Sequence, residues 1–388
     1  MDEMRYEIGL LRNLVALDTD SDQKKNYVRI AKLLGIEAKK LGLRAKTITY
    51  KSDEGKPCPN LFISLDKKAK ETILLATHYD VVPAGEGWTA DPFKLRRKGK
   101  MLIGRGACDD KGAIAAAMGA LKELKNLDCR RNVKLLVACD EEVGAGNGLK
   151  KLIAKNKKDL ISDFCIVMDK DFTNVGIGCS GTAMGYIFLK GEQGHAGYPH
   201  KTLNIVHEAV PFMADLLEYK KLREMKKSVA PAPPGSLHKT VWGRFSITML
   251  NAGHKTNIIP SSLRIGFDIR ALPEEKINGV IKEFKKFVGI KLKKHNLRGR
   301  ITIKGSNGYM IRKDNPYVEE VAKKAEKILG RKLEKVVELG AVDGRFIAKL
   351  GISAIAITPG GKNAHAPEES ISIYELRKTK ELVKELVR

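Results

Sequence analysis

ETILLATHYDVV, residues 71–82, is apolar on both faces until it breaks into His78 and Asp80. Burial on both faces marks the central strand of a sheet covered by helices, and in open α/β sheets ligands collect at the carboxyl ends of such strands. The surrounding sequence agrees. RNVKLLVACDEE (131–142) reads as a second buried strand, and DKGAIAAAMGALKELKNL (110–127) sets strong helix formers at helical spacing. Weaker strand signals lie in AKTITY (45–50) and NLFISLD (60–66). The first forty residues predict two amphipathic helices, the second within 19–42, opened by Ser and Asp caps and closed by glycine. Helix and strand alternate, so the spacing predicts an α/β core.

Near residue 180 the pattern changes. SGTAMGYIFLKGEQGH (180–195) alternates like a half-buried strand, and NIVHEAVPFMADLLEYKKL (204–222) is an amphipathic helix. Strands at 244–253 and 261–272, a helix at 274–290 and a strand at 298–305 follow, which predicts a four-stranded sheet with two helices. From about residue 315 the helix, strand, helix order resumes. The chain of 388 residues is long for one core, and the expected division is 1–180 with 313–388 as one domain and 181–312 inserted into it.

Composition narrows the class. Apolar residues at 43% and charged residues at 30% are ordinary for a globular protein. No stretch has the eighteen or so apolar residues that a membrane span needs, and the acidic opening MDEMRYEIG has no apolar signal core, so a cytoplasmic protein is expected. The six cysteines are scattered without CxxC spacing and read as reduced core thiols. Cys108 and Cys139 adjoin proposed ligands, but packing is the expected role of both. The net charge of +25 would attract acidic partners or substrates. Its lysines and arginines run along the whole chain, and no tail or aromatic-interleaved stretch concentrates them as in a dedicated nucleic-acid binder. A lysine-rich solvated surface is the expectation.

The chemistry resides in isolated His, Asp and Glu residues where strand-like runs give way to loops. His78 can ligate a metal through one ring nitrogen while a nearby carboxylate, with Asp80 the candidate, accepts the other N–H. In GRGACDDKG (104–112) a carboxylate shared by two metals roughly 3.5 Å apart must come from a fixed, glycine-flanked turn. Only one of two adjacent residues aims inward, and Asp109 is chosen with Asp110 in reserve. In VACDEEVGAG (137–146) three acids follow an apolar strand, and adjacent glutamates supply one ligand and one proton acceptor. Asp169, after FCIVM, and His365, in GGKNAHAPEE (360–369), complete a donor set of oxygens and nitrogens. That mix suits zinc, cobalt or manganese, with zinc the default for hydrolysis.

The ordered set HYDVVP (78–83), GRGACDDKG, DEEVGA (140–145), GHAGYPH (194–200), TNIIP (256–260) and HAPEE (365–369) resembles the M20 metallopeptidase and deacylase family over essentially the whole chain. The resemblance implies a zinc-exopeptidase-like catalytic domain with a mixed central sheet flanked by helices, plus an inserted ferredoxin-like α+β dimerisation domain that acts as a lid. It implies two zinc ions per subunit, with cobalt or manganese as substitutes. His78, Asp109 and Asp169 would hold one ion, and Asp109, Glu142 and His365 the other. Asp80 would support His78, and Glu141 would be the general base and acid. Many relatives have Glu-Pro where this chain has MDKD, so Asp171 competes with Asp169. His195 would stabilise the oxyanion in the active site of the partner subunit, while Asn257, Arg270 and Arg345 would hold the substrate.

Residues 194–212 and 340–351 look closer to the desuccinylases of the family than to its dipeptidases. The expected function is a dizinc amidohydrolase cleaving the amide of an N-acyl amino acid, similar to succinyl-diaminopimelate desuccinylases or acetylornithine deacetylases. Metal-bridging hydroxide would attack, with Glu141 as base. A dipeptidase or carboxypeptidase is the alternative. A non-catalytic binder of nucleic acid or of an acidic protein is the alternative from another class, and an acidic carrier of the acyl amino acid would give the basic surface a use.

Overall fold

The structure, a computed structural model, describes residues 4–358 and 360–388. The chain forms two compact units. The first comprises the chain up to Ile177, Ile311–Lys335 and Val342–Arg388; the second comprises Gly178–Met310 and Val336–Ala341.

In the first unit, helices α1 (Arg5–Val15) and α2 (Tyr27–Lys40) precede strands β1 (Arg44–Lys51), β2 (Pro57–Leu65) and β3 (Glu71–His78). Helix α3 (Lys111–Leu124) leads to β4 (Arg131–Ala138), and α4 (Leu149–Leu160) leads to β5 (Phe164–Val167) and β6 (Val175–Cys179). Its sheet runs β1-β2-β4-β3-β5, continuing through β11 (Ser353–Ala356) to β6. Strands β4, β3, β5 and β11 are parallel to one another, whereas β1, β2 and β6 join antiparallel, so the sheet is mixed. Parallel strands need cover on both faces, and β3 and β5 are buried accordingly. Helix α3, rich in Ala with Ile, Met and Leu, is buried almost all round, as befits a helix between others.

Local sequence explains the late helices. Helix α7 (Pro316–Leu329) starts at Asn315, whose side chain accepts the N–H groups of Tyr317 and Val318, and ends at Gly330 in the left-handed region. Helix α8 (Gly344–Ile347) is one short turn. Helix α9 (Ile373–Val387) opens with a capping box in which Ser372 and Glu375 each bond the other's backbone N–H.

The second unit contains β7 (Gly181–Lys190), α5 (Ile205–Met225), β8 (Arg244–Ala252), β9 (Ser262–Ala271), α6 (Ile277–Lys294) and β10 (Arg298–Ser306). The strands form one antiparallel sheet in the order β8-β9-β7-β10. Both helices pack on one face of it, around a core that includes Ile187, Phe212, Tyr219, Phe245, Phe267 and Phe284. This is the β-α-β-β-α-β arrangement.

Candidate metal centre

Four parallel strands bring the site together. His78 at the end of β3 pairs with Ala138 at the end of β4, and Val167 of β5 pairs with both Ala76 and Ala356. The chain leaves each strand at the same edge of the sheet. Hence His78, the acids 140–142, Asp169 and the loop bearing His365 emerge together, at the carboxyl ends where open sheets bind ligands.

His78 is buried and oriented by its own turn. Its Nδ1 lies 3.0 Å from the main-chain oxygen of Asp80, and a carbonyl only accepts, so Nδ1 carries the proton and Nε2 faces Asp109. The sequence reading gave this orienting role to the Asp80 carboxylate, whose nearer oxygen is 3.6 Å from Nδ1. That carboxylate is occupied with the backbone N–H groups of Glu141 and Glu142, at 3.2 and 3.1 Å. Asp80 therefore fixes both the imidazole and the turn that carries the glutamates.

Asp109 stands between two histidines. One oxygen is 3.0 Å from His78 Nε2 and the other 3.0 Å from His365 Nε2. Its neighbour Asp110 points elsewhere and accepts the His78 N–H at 3.4 Å. Both oxygens of Glu142 also approach His365 Nε2, at 3.1 and 3.2 Å. His365 sits at φ +63°, a left-handed conformation that Asn363 and Glu368 share. Strain gathered in one loop marks a conformation that the surroundings enforce. Gly361 is needed there for another reason, since a Cβ would stand 2.2 Å from that of Cys108.

The remaining acids divide cleanly. Glu141 and Asp169 converge on His78. Asp140 faces inward to Asn147, Tyr27 and Lys24, and so serves the fold. Asp171 bonds the backbone and hydroxyl of Thr173 and stays outside the cluster. All six cysteines are free, and none belongs to a cluster of potential ligands among the described residues.

Crowded carboxylates disturb one another's protonation. Burial, then the charge of Asp109, pushes Asp169 up to about 7. Burial and Asp343 hold Glu141 well above the carboxylate range, and burial raises Glu142 against the pull of His365. Asp109 moves the other way, because its histidine partners outweigh burial. His365, bonded to Asp109 and Glu142, rises to about 10. An acidic pocket of this kind calls for cations.

The residues fit a pair of divalent ions. Donors gather at each of two histidines: His78 lies within 4.8 Å of Asp109 and Glu142 and of Glu141 and Asp169 in two overlapping sets, and His365 Nε2 stands 3.0 Å from the second Asp109 oxygen and 3.1 Å from Glu142. The buried His78 Nε2 has no well-aligned hydrogen bond despite its proximity to Asp109, as expected of a lone pair aimed at a shared third point.

Two contributors were missed in the sequence. Glu369, fully buried, accepts the N–H groups of Gly106, Cys108 and Asp109 at 2.9–3.1 Å and an Arg105 N–H at 2.7 Å. Asp343 is the main charge acting on Glu141. Each lies a few positions from a residue already chosen, Glu369 four after His365 and Asp343 two before Arg345.

Arg345 lies in α8, buried, with its guanidinium 4.3 Å over the Phe346 ring and with Nε and Nη1 lacking hydrogen-bond partners. In the second unit, His195 pairs with Ile258 in a two-stranded ribbon, and the Ala196 N–H donates to the main-chain oxygen of Asn257. His195 Nδ1 accepts the Gly197 N–H, which makes Nε2 the protonated, donating nitrogen. Arg270 is paired with Asp268 at 2.8 Å.

Comparison with known proteins gives these features a context. Residues 74–388 match the model of peptidase family M20/M25/M40. A succinyl-diaminopimelate desuccinylase of Sulfurovum sp. (strain NBC37-1) is 30% identical over 357 residues, covering 89% of this chain and 90% of the relative. Among solved structures, an M20 family metallo-carboxypeptidase from Sulfolobus solfataricus superposes with a TM-score of 0.83 at 22% identity, covering 98% of each chain. A dinuclear metal-binding M20 peptidase of Bacillus subtilis, YXEP, superposes at 0.68 with 14% identity, covering 99% of this chain and 97% of that one. The mixed sheet and its flanking helices are those of M20 exopeptidases. With the family's pattern matched from β3 to the last helix, the chain belongs to peptidase family M20/M25/M40 and is a metal-dependent hydrolase of amide or peptide bonds.

Proposed function

We propose that the protein is a dizinc amidohydrolase that releases an amino acid from its N-acyl derivative, of the desuccinylase or acetylornithine deacetylase type. The observation that carries the two-metal reading is Asp109, which offers one oxygen to each of two histidines. The desuccinylase relative at 30% identity supports the acyl substrate. His78, Asp109 and Asp169 would hold one ion and Asp109, Glu142 and His365 the other.

When bound, the ions polarise the amide carbonyl and acidify a water. Glu141, whose proton affinity is raised by burial and by Asp343, takes the proton and returns it to the departing amine. The Nε2–H of His195, contributed across a homodimer through the second unit, steadies the oxyanion. Arg345, whose Nε and Nη1 lack hydrogen-bond partners, holds a substrate carboxylate, and Arg270 and Asn257 also serve the substrate. The reaction is placed in the cytoplasm.

Carboxypeptidase or dipeptidase activity is the second reading, favoured by the carboxypeptidase structure that superposes over the full chain. Amine release by zinc- or cobalt-loaded protein from N-succinyl and N-acetyl amino acids and from dipeptides separates the two, with Glu141→Gln as the blank. Turnover confined to dipeptides would sink the deacylase reading, and turnover undiminished in the variant would remove Glu141 from its role.

A further inference from the structure

Helices α5 and α6 cover one face of the second unit's sheet, and the other face, in the part away from Arg270, carries residues that amide hydrolysis does not use. Along β7, Ala183, Ile187 and Leu189 point into the core, so Met184, Tyr186 and Phe188 point out. The strand register sets Arg264 and Arg300 on either side of Phe188, and Gly266 and Thr302 on either side of Tyr186. The Arg300 guanidinium lies 4.2 Å from the Phe188 ring centre and that of Arg264 lies 5.1 Å from Tyr186. The two rings are 6.0 Å apart. Aromatic and guanidinium planes thus alternate across three strands. Residues scattered along the sequence become neighbours only through strand pairing.

Charge and shape agree. Lys190, Arg298 and Lys304 extend the cationic rim, and all three are exposed. Among the outward-facing described residues of β7, β9 and β10 the only acid is Asp268, paired with Arg270. A trough of about 630 Å³ runs over Tyr186, Gly266, Thr302 and Met249. Glycine keeps it open, because a Cβ at 266 would stand 2.9 Å from that of Met249 and 3.4 Å from the Tyr186 ring. Met184, at its edge, is 53% exposed.

We propose that this sheet face binds single-stranded RNA. Every base has a π face that can stack on Tyr186, Phe188 or the arginine planes, while the lysines and Arg298 meet phosphates. The hydroxyls of Thr248 and Thr302 are suited to a ribose 2′-OH. The patch is separate from the substrate role proposed for Arg270, since Arg264 lies six residues along the same strand, roughly 20 Å away. The net charge of +25 steers polyanions towards the molecule.

The test uses the full chain and a fluorescein-labelled RNA of roughly twelve nucleotides, a length within the site sizes of single-strand binding folds. Anisotropy is followed across a salt series. Expected are micromolar affinity that falls with salt and a roughly tenfold loss in Tyr186→Ala. Tyr186→Phe, which keeps the ring, retains binding. Arg264→Glu with Arg300→Glu abolishes it. Lys157→Glu with Lys158→Glu, the same charge change on α4, leaves it within about twofold. The proposal is overturned if the α4 pair loses as much as the arginine pair, which would mean diffuse charge attraction. It is equally overturned if Tyr186→Ala binds like the wild type, or if DNA single strands or RNA duplexes bind as tightly.

Discussion

Arg105 and Glu369 form an ion pair at 2.7 Å with both side chains 1% exposed. Arg105 also donates to the main-chain oxygens of Pro83 and Ala84, and Glu369 gathers the N–H groups of the Asp109 turn. Three segments bearing His78, Asp109 and His365 are thereby tied at one buried point. Glu369→Gln strips the charge from that point and leaves Arg105 buried without its partner, which costs about 3–5 kcal/mol. Metal affinity should fall by about 10–100-fold, since the residue orients a ligand without touching the ion. Thermal unfolding and chelator competition measure the two effects, and unchanged metal affinity would show that the turn holds Asp109 unaided.

The two histidines divide the proposed metal pair one to each ion, whereas Asp109 serves both. His365→Ala removes a donor from one ion only, so about one equivalent of metal should remain after dialysis, whereas Asp109→Ala should lose both. Elemental analysis decides this. Saturating metal at 100 times its dissociation constant should stabilise the wild type by about 2.7 kcal/mol per site. Equal metal content in the two variants would contradict the shared role of Asp109.

Away from the site, Glu320 offers a pH-dependent test. Burial opposes its charge, but hydrogen bonds from Arg131 at 2.7 and 2.8 Å, with Lys324 nearby, hold its carboxyl at about 2. The unfolded group titrates near 4.5. A carboxyl with a depressed folded value contributes stability that is complete above pH 4.5 and is lost as pH falls towards 2. Glu320→Gln should therefore melt a few degrees lower at pH 7, for a loss of about 1–3 kcal/mol that solvent exposure draws towards the lower end. The gap should close between pH 4.5 and 2, and a gap constant across that range would assign the effect to shape instead of charge.

His195 donates through Nε2 because Gly197 occupies Nδ1. His195→Ala should lower kcat by about 10²–10³ with little change in KM or metal content, the signature of a donor used only in the transition state. A rise in KM at constant kcat would make it a substrate-binding residue.

Much of the fold was legible because continuous apolar runs and alternating ones differ in period. The run 71–78 is the central β3, and the alternation beyond residue 180 is the antiparallel sheet. The cluster was legible where an acid or histidine ended such a run, as His78, Glu142 and Asp169 do. Which of two adjacent acids faces inward was less so, and only the geometry turns Asp110 away and leaves Asp171 outside. The carbonyl of Asp80 could not be anticipated from residue types, because main-chain acceptors leave no mark in the sequence. Glu369 escaped notice because its partners lie more than 250 positions earlier. The aromatic and basic sheet face escaped for the same reason, being built from three strands.

The site is assembled in chain order, and its last member comes late. Strand β11 is the last of the parallel set, and His365 follows it, while His78, Asp109, Glu141, Glu142 and Asp169 all precede the second unit. A chain still being synthesised exposes these acids without the second histidine and without Glu369 to set the Asp109 turn. The proposed second ion can find its full donor set only after residue 365 has been made, and truncation between residues 170 and 364 would leave His78, Asp109 and Asp169 without His365.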